Sequence, residues 1–158
     1  VLALMESNGI KINSKFLKSL SLDYTAELKL IEKNIFKLSN ETFNLASPKQ
    51  LGEVLFEKLK IVDKPKKTKT GQYSTSEEVL SSLAKDHKIV EEVLKWRSLQ
   101  KLVNTYVDAL PRQINENSLR IHTIFNQAVA STGRLSSNNP NLQNIPIRSN
   151  KGLSLIHI

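Results

Sequence analysis

The sequence predicts a mainly α protein with a short β-containing C-terminal part. Two long stretches, Leu17 to Leu38 and Val90 to Leu110, place apolar residues three and four apart, and after Asn115 the spacing changes to alternation. A helical hairpin of the two long stretches is the economical arrangement, because each apolar seam can bury the other. At 158 residues the chain could form one domain with a real core, or a small domain plus part of another. Apolar content of 39% and charge of 24% suit a soluble globular protein. No apolar run approaches spanning length, so neither a membrane span nor a signal peptide is expected. The absence of cysteine removes disulfides and thiolate metal sites and fits a reducing cytoplasm. The formal net charge of +8 and pI near 9.7 favour a polyanionic partner. Nucleic acid fits better than a membrane surface, because the basic residues do not follow one amphipathic helix.

Taken in order, Val1 to Ser7 reads as the end of a helix stopped at Gly9. Asn13 or Ser14 can cap a helix running to about Ser39, with Leu17, Leu20, Tyr24, Leu28, Ile31, Ile35 and Leu38 as its seam. Ser47 followed by Pro48 is a strong helix start, and the helix to about Lys60 should bury Leu51, Val54, Leu55 and Leu59. Thr75 with Glu78 has the form of a capping box, predicting a helix to about Asp86 with Val79, Leu80 and Leu83 inward. A second long helix is expected from Ile89 to Leu110, ending before Pro111, with Val90, Val93, Leu94, Leu102, Val103, Tyr106 and Leu110 inward and Trp96 in the core. Leu119, Ile121, Thr123 and Phe125 alternate with Arg120, His122, Ile124 and Asn126 and read as a strand whose sheet partners are expected to be missing from the chain.

Two stretches carry the chemistry. Between Lys58 and Gln72 there are six lysines and one acid, Asp63, with Thr68, Thr70, Gly71 and Gln72 among them. That composition suits a flexible basic tip which follows a phosphate backbone without reading bases. From Ser131 to Arg148 the chain reads STGRLSSNNPNLQNIPIR, with two arginines, one glutamine, four asparagines and no acid. Arg, Asn and Gln can donate to the N3 and O2 acceptors that every base pair displays in the minor groove. Two-metal phosphoryl transfer needs carboxylates, yet Asn117 to Ile158 contains no Asp or Glu. His87, His122 and His157 have no ligand-like spacing, so neither a metal site nor a catalytic residue is expected in this chain.

The order of residues in STGRLSSNNPNLQNIPIR closely resembles the palm-opening segment of the bacterial DNA polymerase I family, family A. FNLASPKQLGEVLFEKL and KKTKTGQYSTSEEVL resemble the same family in the same order, and the resemblance covers Val1 to about Gly152. It implies the end of a linker from an exonuclease-like domain at residues 1–13, a helical-hairpin thumb at 14–115, and the first strand and loop of an incomplete α+β palm at 116–152. After Gly152 the family continues with a strand of the form I-R-x-A-F. This chain ends LSLIHI, so 153–158 reads as a non-native tail.

The resemblance further implies that Lys66, Lys67, Lys69 and Thr70 meet duplex phosphates. Arg134 would enter the minor groove at the primer terminus, and Asn141, Gln143 and Asn144 would contact sugars and base edges nearby. Arg148 would reach the incoming nucleotide's phosphates. The family's aspartate motifs, D-Y-S-Q-I-E and V-H-D-E, are not present. The expectation is therefore a DNA-binding fragment of a template-directed DNA polymerase of replication and repair, inactive alone. Mg²⁺ and deoxynucleoside triphosphates would serve the parent enzyme and bind none of this fragment. Its partner would be primer-template duplex DNA, its state monomeric and its location cytoplasmic, at the nucleoid. The alternatives are a non-enzymatic nucleic-acid-binding module and a helical protein-interaction domain.

Overall fold

A computed structural model describes residues 1–146 and 149–155 of the chain. The fold is mainly α with a short β part. Its elements are α1 (Leu2–Asn8), α2 (Ser14–Ser39), α3 (Pro48–Gly52), α4 (Glu77–Leu83), α5 (Lys88–Leu102), β1 (Ile124–Asn126), β2 (Ser136–Asn138) and α6 (Asn150–Ser154). Among the described residues no helix is long and apolar enough to cross a membrane. The chain divides into two compact units, one of Val1–Tyr24 with the chain from Lys101 onward, the other of Thr25–Gln100.

The start signals act as local chemistry dictates. Asn13 Oδ1 accepts from Phe16 N at 3.1 Å, capping α2. Ser47 Oγ accepts from Gln50 N at the head of α3, with Pro48 at the first helical position. α2 stops where Asn40 takes φ 55, and Ser39 turns inward with its hydroxyl donating to Glu41 O at 2.9 Å. Leu38, expected on the seam, is left exposed by that stop. The capping box is corrected: the cap of α4 is Ser76, whose hydroxyl accepts from Val79 N. Thr75 is buried instead, and the helix ends at Leu83.

In the Thr25–Gln100 unit the core is mainly aliphatic. Leu28, Ile31 and Ile35 of α2, Leu51 of α3, Leu80 of α4 and Val90, Val93 and Leu99 of α5 are all buried, each such side chain contributing roughly 1.5–3 kcal/mol. Trp96 is buried with them, as expected. α3 does not continue as a regular helix. Glu53–Lys58 is π-helical, with Leu59 N donating to Val54 O five residues back, and it buries Val54, Leu55 and Phe56 in succession. α5 behaves likewise: Val103–Val107 is π-helical, and a 3₁₀ turn at Leu110–Gln113 carries Pro111.

In the other unit, Leu17, Tyr106, Val107, Leu110, Ile121 and Leu155 form the core. Ser21 donates to Asp108 at 2.7 Å, and the Tyr24 ring carries the Lys151 ammonium 5.6 Å from its centroid. The predicted strand is shorter than expected: Leu119 sits at φ 55, Ile121 is bridged to Ile10, and β1 has three residues. Its partner lies within the chain after all: β1 pairs antiparallel with β2, Phe125 opposite Ser137.

Candidate functional site

The basic stretch folds into a hydrogen-bonded turn. Ser74 N donates to Lys66 O, Thr68 N to Gln72 O and Gly71 N to Thr68 O, all within 2.9 Å, with Lys67 bridged to Tyr73. Gly71 at φ 81 has the left-handed conformation that glycine adopts without strain. The Thr68 and Thr70 hydroxyls are 2.9 Å apart. Tyr73 roots the turn: its ring lies 5.4 Å from Phe56, and the Lys67 ammonium is 5.1 Å from its centroid. Gly52 makes this possible, since a Cβ there would sit 2.9 Å from Tyr73 Cβ. Burial raises the pKa of the Tyr73 hydroxyl, and the neighbouring Glu57 carboxylate adds to the rise.

Below the turn, Arg97 of α5 reaches back to Thr75, donating to its carbonyl and, at 3.2 Å, to its hydroxyl. Burial lowers the Arg97 pKa, with the charge of Glu77 opposing. A lone arginine in a helical pattern gave no sign of this role. The turn presents Lys66, Lys67, Lys69 and Thr70 together on an exposed surface. Among the described residues no carboxylate pairs with these lysines, whereas Lys88 and Lys95 of α5 are both paired with Glu91 and Glu92. The Glu91 carboxyl is held below its usual pKa by hydrogen bonds to Lys95 and then Lys88. The charges of Lys88 and Lys95 are thus paired, and those of the turn are left open.

The second set of predicted residues flanks β2. Arg134 precedes it in the exposed loop after Gly133, which has φ 70. Asn141, Gln143 and Asn144 follow it, all exposed. The turn between is fixed by buried groups. Ser137, 0% exposed, accepts from Leu142 N at 3.0 Å, and the Thr123 hydroxyl reaches Asn138 O at 3.0 Å and Pro140 O at 2.8 Å across a cis Asn139–Pro140 bond. Asn141 Oδ1 accepts from Gln143 N at 3.0 Å, which orients the side chain and leaves its amide protons outward. The guanidinium of Arg134 and the amide groups of Gln143 and Asn144 have no hydrogen-bond partner among the described residues. Arg148 lies outside the described residues.

The model of the family described as DNA polymerase family A matches residues 14–157. The chain belongs to DNA polymerase family A. Family A relatives include DNA polymerase I of Synechocystis, 54% identical over 150 residues covering 94% of this chain, and DNA polymerase I of Geobacillus stearothermophilus, 49% identical over 152 residues covering 96%. This chain spans only 15% and 17% of the lengths of those two proteins. A solved family A structure, the POL domain of Pol1 from M. smegmatis in complex with DNA primer-template and dNTP, superposes with a TM-score of 0.85 at 40% identity. That likeness covers 98% of this chain and 27% of the other. The Mg²⁺ that family A chemistry implies needs clustered carboxylates, and among the described residues no three of His, Cys, Asp or Glu come together. The described residues do not fit the ion.

Proposed function

We propose that this chain supplies the duplex grip and the primer-end contacts of a template-directed DNA polymerase. Residues 14–115 would act as the thumb, 116–152 as the opening of the palm and 1–13 as the end of the segment leading into them. The observation that carries this reading is a pair of hydrogen-bonded turns that expose donors: Lys66, Lys67, Lys69 and Thr70 on one, the lysines without a carboxylate partner among the described residues, and Arg134, Asn141, Gln143 and Asn144 around the other. Phosphates accept from the first set wherever the duplex lies. Base N3 and O2 atoms accept from the second, and they occupy nearly the same place in every correct pair. A fixed guanidinium can therefore test pair shape at the growing end without reading sequence, and a correct pair aligns the primer hydroxyl for attack. The DNA and dNTP named for the M. smegmatis relative are the partners this reading assigns to the parent enzyme, with Mg²⁺ held by residues other than these. Arg148 would meet the incoming nucleotide.

Replacing Lys66, Lys67 and Lys69 together with alanine tests the grip. Duplex affinity should fall alike on unrelated sequences, and the salt dependence should flatten by up to about 0.9 log units for each phosphate that is no longer neutralised. An unchanged slope would remove the turn from the interface and favour a helical protein-interaction domain. Supplied with primed template, nucleotides and Mg²⁺, the 158-residue chain by itself should extend no primer. Extension above background by material free of other polymerases would contradict the assignment of catalysis elsewhere.

A further inference from the structure

The β1–β2 hairpin that follows Ile121 is clasped by the chain's first ten residues. Ile10 and Ile121 exchange both backbone hydrogen bonds at 2.8 Å, and Arg120 donates to Gly9 O at 3.3 Å. His122 Nδ1 lies 2.8 Å from Glu6 O, which assigns the proton to that nitrogen; Nε2 then accepts the Ser118 hydroxyl at 2.6 Å. The approach is so close that only glycine fits at position 9: a Cβ would sit 2.7 Å from Ile121 O and 2.8 Å from the His122 ring, at φ 61. The Glu6 side chain completes the clasp, its Oε1 accepting from Phe125 N at 2.7 Å.

That last bond has a particular place in the sheet. Phe125 is the middle residue of β1 and stands opposite Ser137. Because its N–H goes to Glu6, it points away from β2, and the residues on either side, Ile124 and Asn126, are the ones placed to bond Asn138 and Ser136. The carboxylate thus takes the position of a third strand on the open edge of a two-stranded ribbon, which is marginal without such support. β2 begins two residues after Arg134.

We propose that Glu6 is a positioning residue for Arg134: by holding the free edge of β1 it fixes the ribbon from whose loop the guanidinium projects. This rests on the reading of Arg134 as a primer-end contact. The test has two parts, one with DNA and one without. In the 158-residue chain, Glu6→Ala should speed amide exchange at Phe125 and along the β1–β2 pairing by about tenfold or more, as expected for loss of the hydrogen-bond acceptor. Glu6→Gln, which keeps an acceptor oxygen, should exchange like wild type. In the full-length polymerase, Glu6→Ala should lower the incorporation rate about fivefold or more at unchanged DNA dissociation, with Glu6→Gln restoring it.

A primer ending in 3-deazaguanine, which lacks the N3 acceptor, should slow wild type but slow Glu6→Ala less. Unchanged exchange at Phe125, or a full 3-deazaguanine penalty in Glu6→Ala, would overturn the proposal. A full penalty in Arg134→Ala would instead withdraw the reading of Arg134. The exchange measurement, made without DNA, would still support or refute the anchoring of the ribbon.

Discussion

In the full-length polymerase, Arg134→Ala should slow nucleotide incorporation by the equivalent of about 1–3 kcal/mol, the range for a good base-edge contact, while DNA dissociation changes much less. Phosphate contacts are many and individually replaceable, but a contact to the terminal pair sits where the reaction occurs. Its removal therefore registers in rate. Arg134 is exposed, so the substitution removes no core packing that could mimic the effect. Arg134→Lys should rescue only in part, since an ammonium is a mobile point charge where a guanidinium presents a fixed fork. Single-turnover incorporation with guanine and 3-deazaguanine primer ends decides the matter. If the effects of Arg134→Ala and of the missing N3 simply add, the side chain does not read that atom.

Arg97→Ala should destabilise the chain by about 2–4 kcal/mol, because it strands the buried Thr75 carbonyl and hydroxyl without donors and opens space beneath the basic turn. Denaturant melting gives the magnitude. Hydrogen exchange at Thr68, Gly71 and Ser74 reports whether the turn loosens with it, as the bonds linking Lys66 to Ser74 and Thr68 to Gln72 predict. Arg97→Lys has a shorter reach and lacks the planar fork of the guanidinium, and should recover a fraction. A shift below about 0.5 kcal/mol would show that the bonds from Arg97 contribute nothing net.

Much of the helical part was legible because its signals are local. Asn13 and the Ser47–Pro48 pair mark helix starts by side-chain chemistry within three residues, and the apolar spacing of Leu28, Ile31 and Ile35 carries its own periodicity. The ribbon was not legible: β2 is Ser136, Ser137 and Asn138, which has no apolar alternation, and its partner lies beyond a long loop. Phe56 escaped as a core residue because three successive buried positions do not fit a 3.6-residue repeat and arise only in the wider π turn. In the candidate site, donor-rich stretches could be seen as charge and composition. The groups that hold them could not, since Arg97 acts on Thr75 across 22 positions and Glu6 on Phe125 across 119, and a single charge in a helical pattern looks like any solvated one.

The π segment at Glu53–Lys58 has a consequence for how the lysine turn is aimed. A regular helix advances about 100° per residue, so the extra residue held in a π turn shifts the phase of everything after it by about that angle. Leu51, Val54 and Leu55 keep their inward heading, Phe56 is brought round to meet Tyr73, and Leu59 hands the chain on to Lys60, which takes φ 48. The surplus residue therefore works as a compass setting. Gaining or losing one residue there could preserve a perfectly good helix and still point Lys66, Lys67 and Lys69 the wrong way.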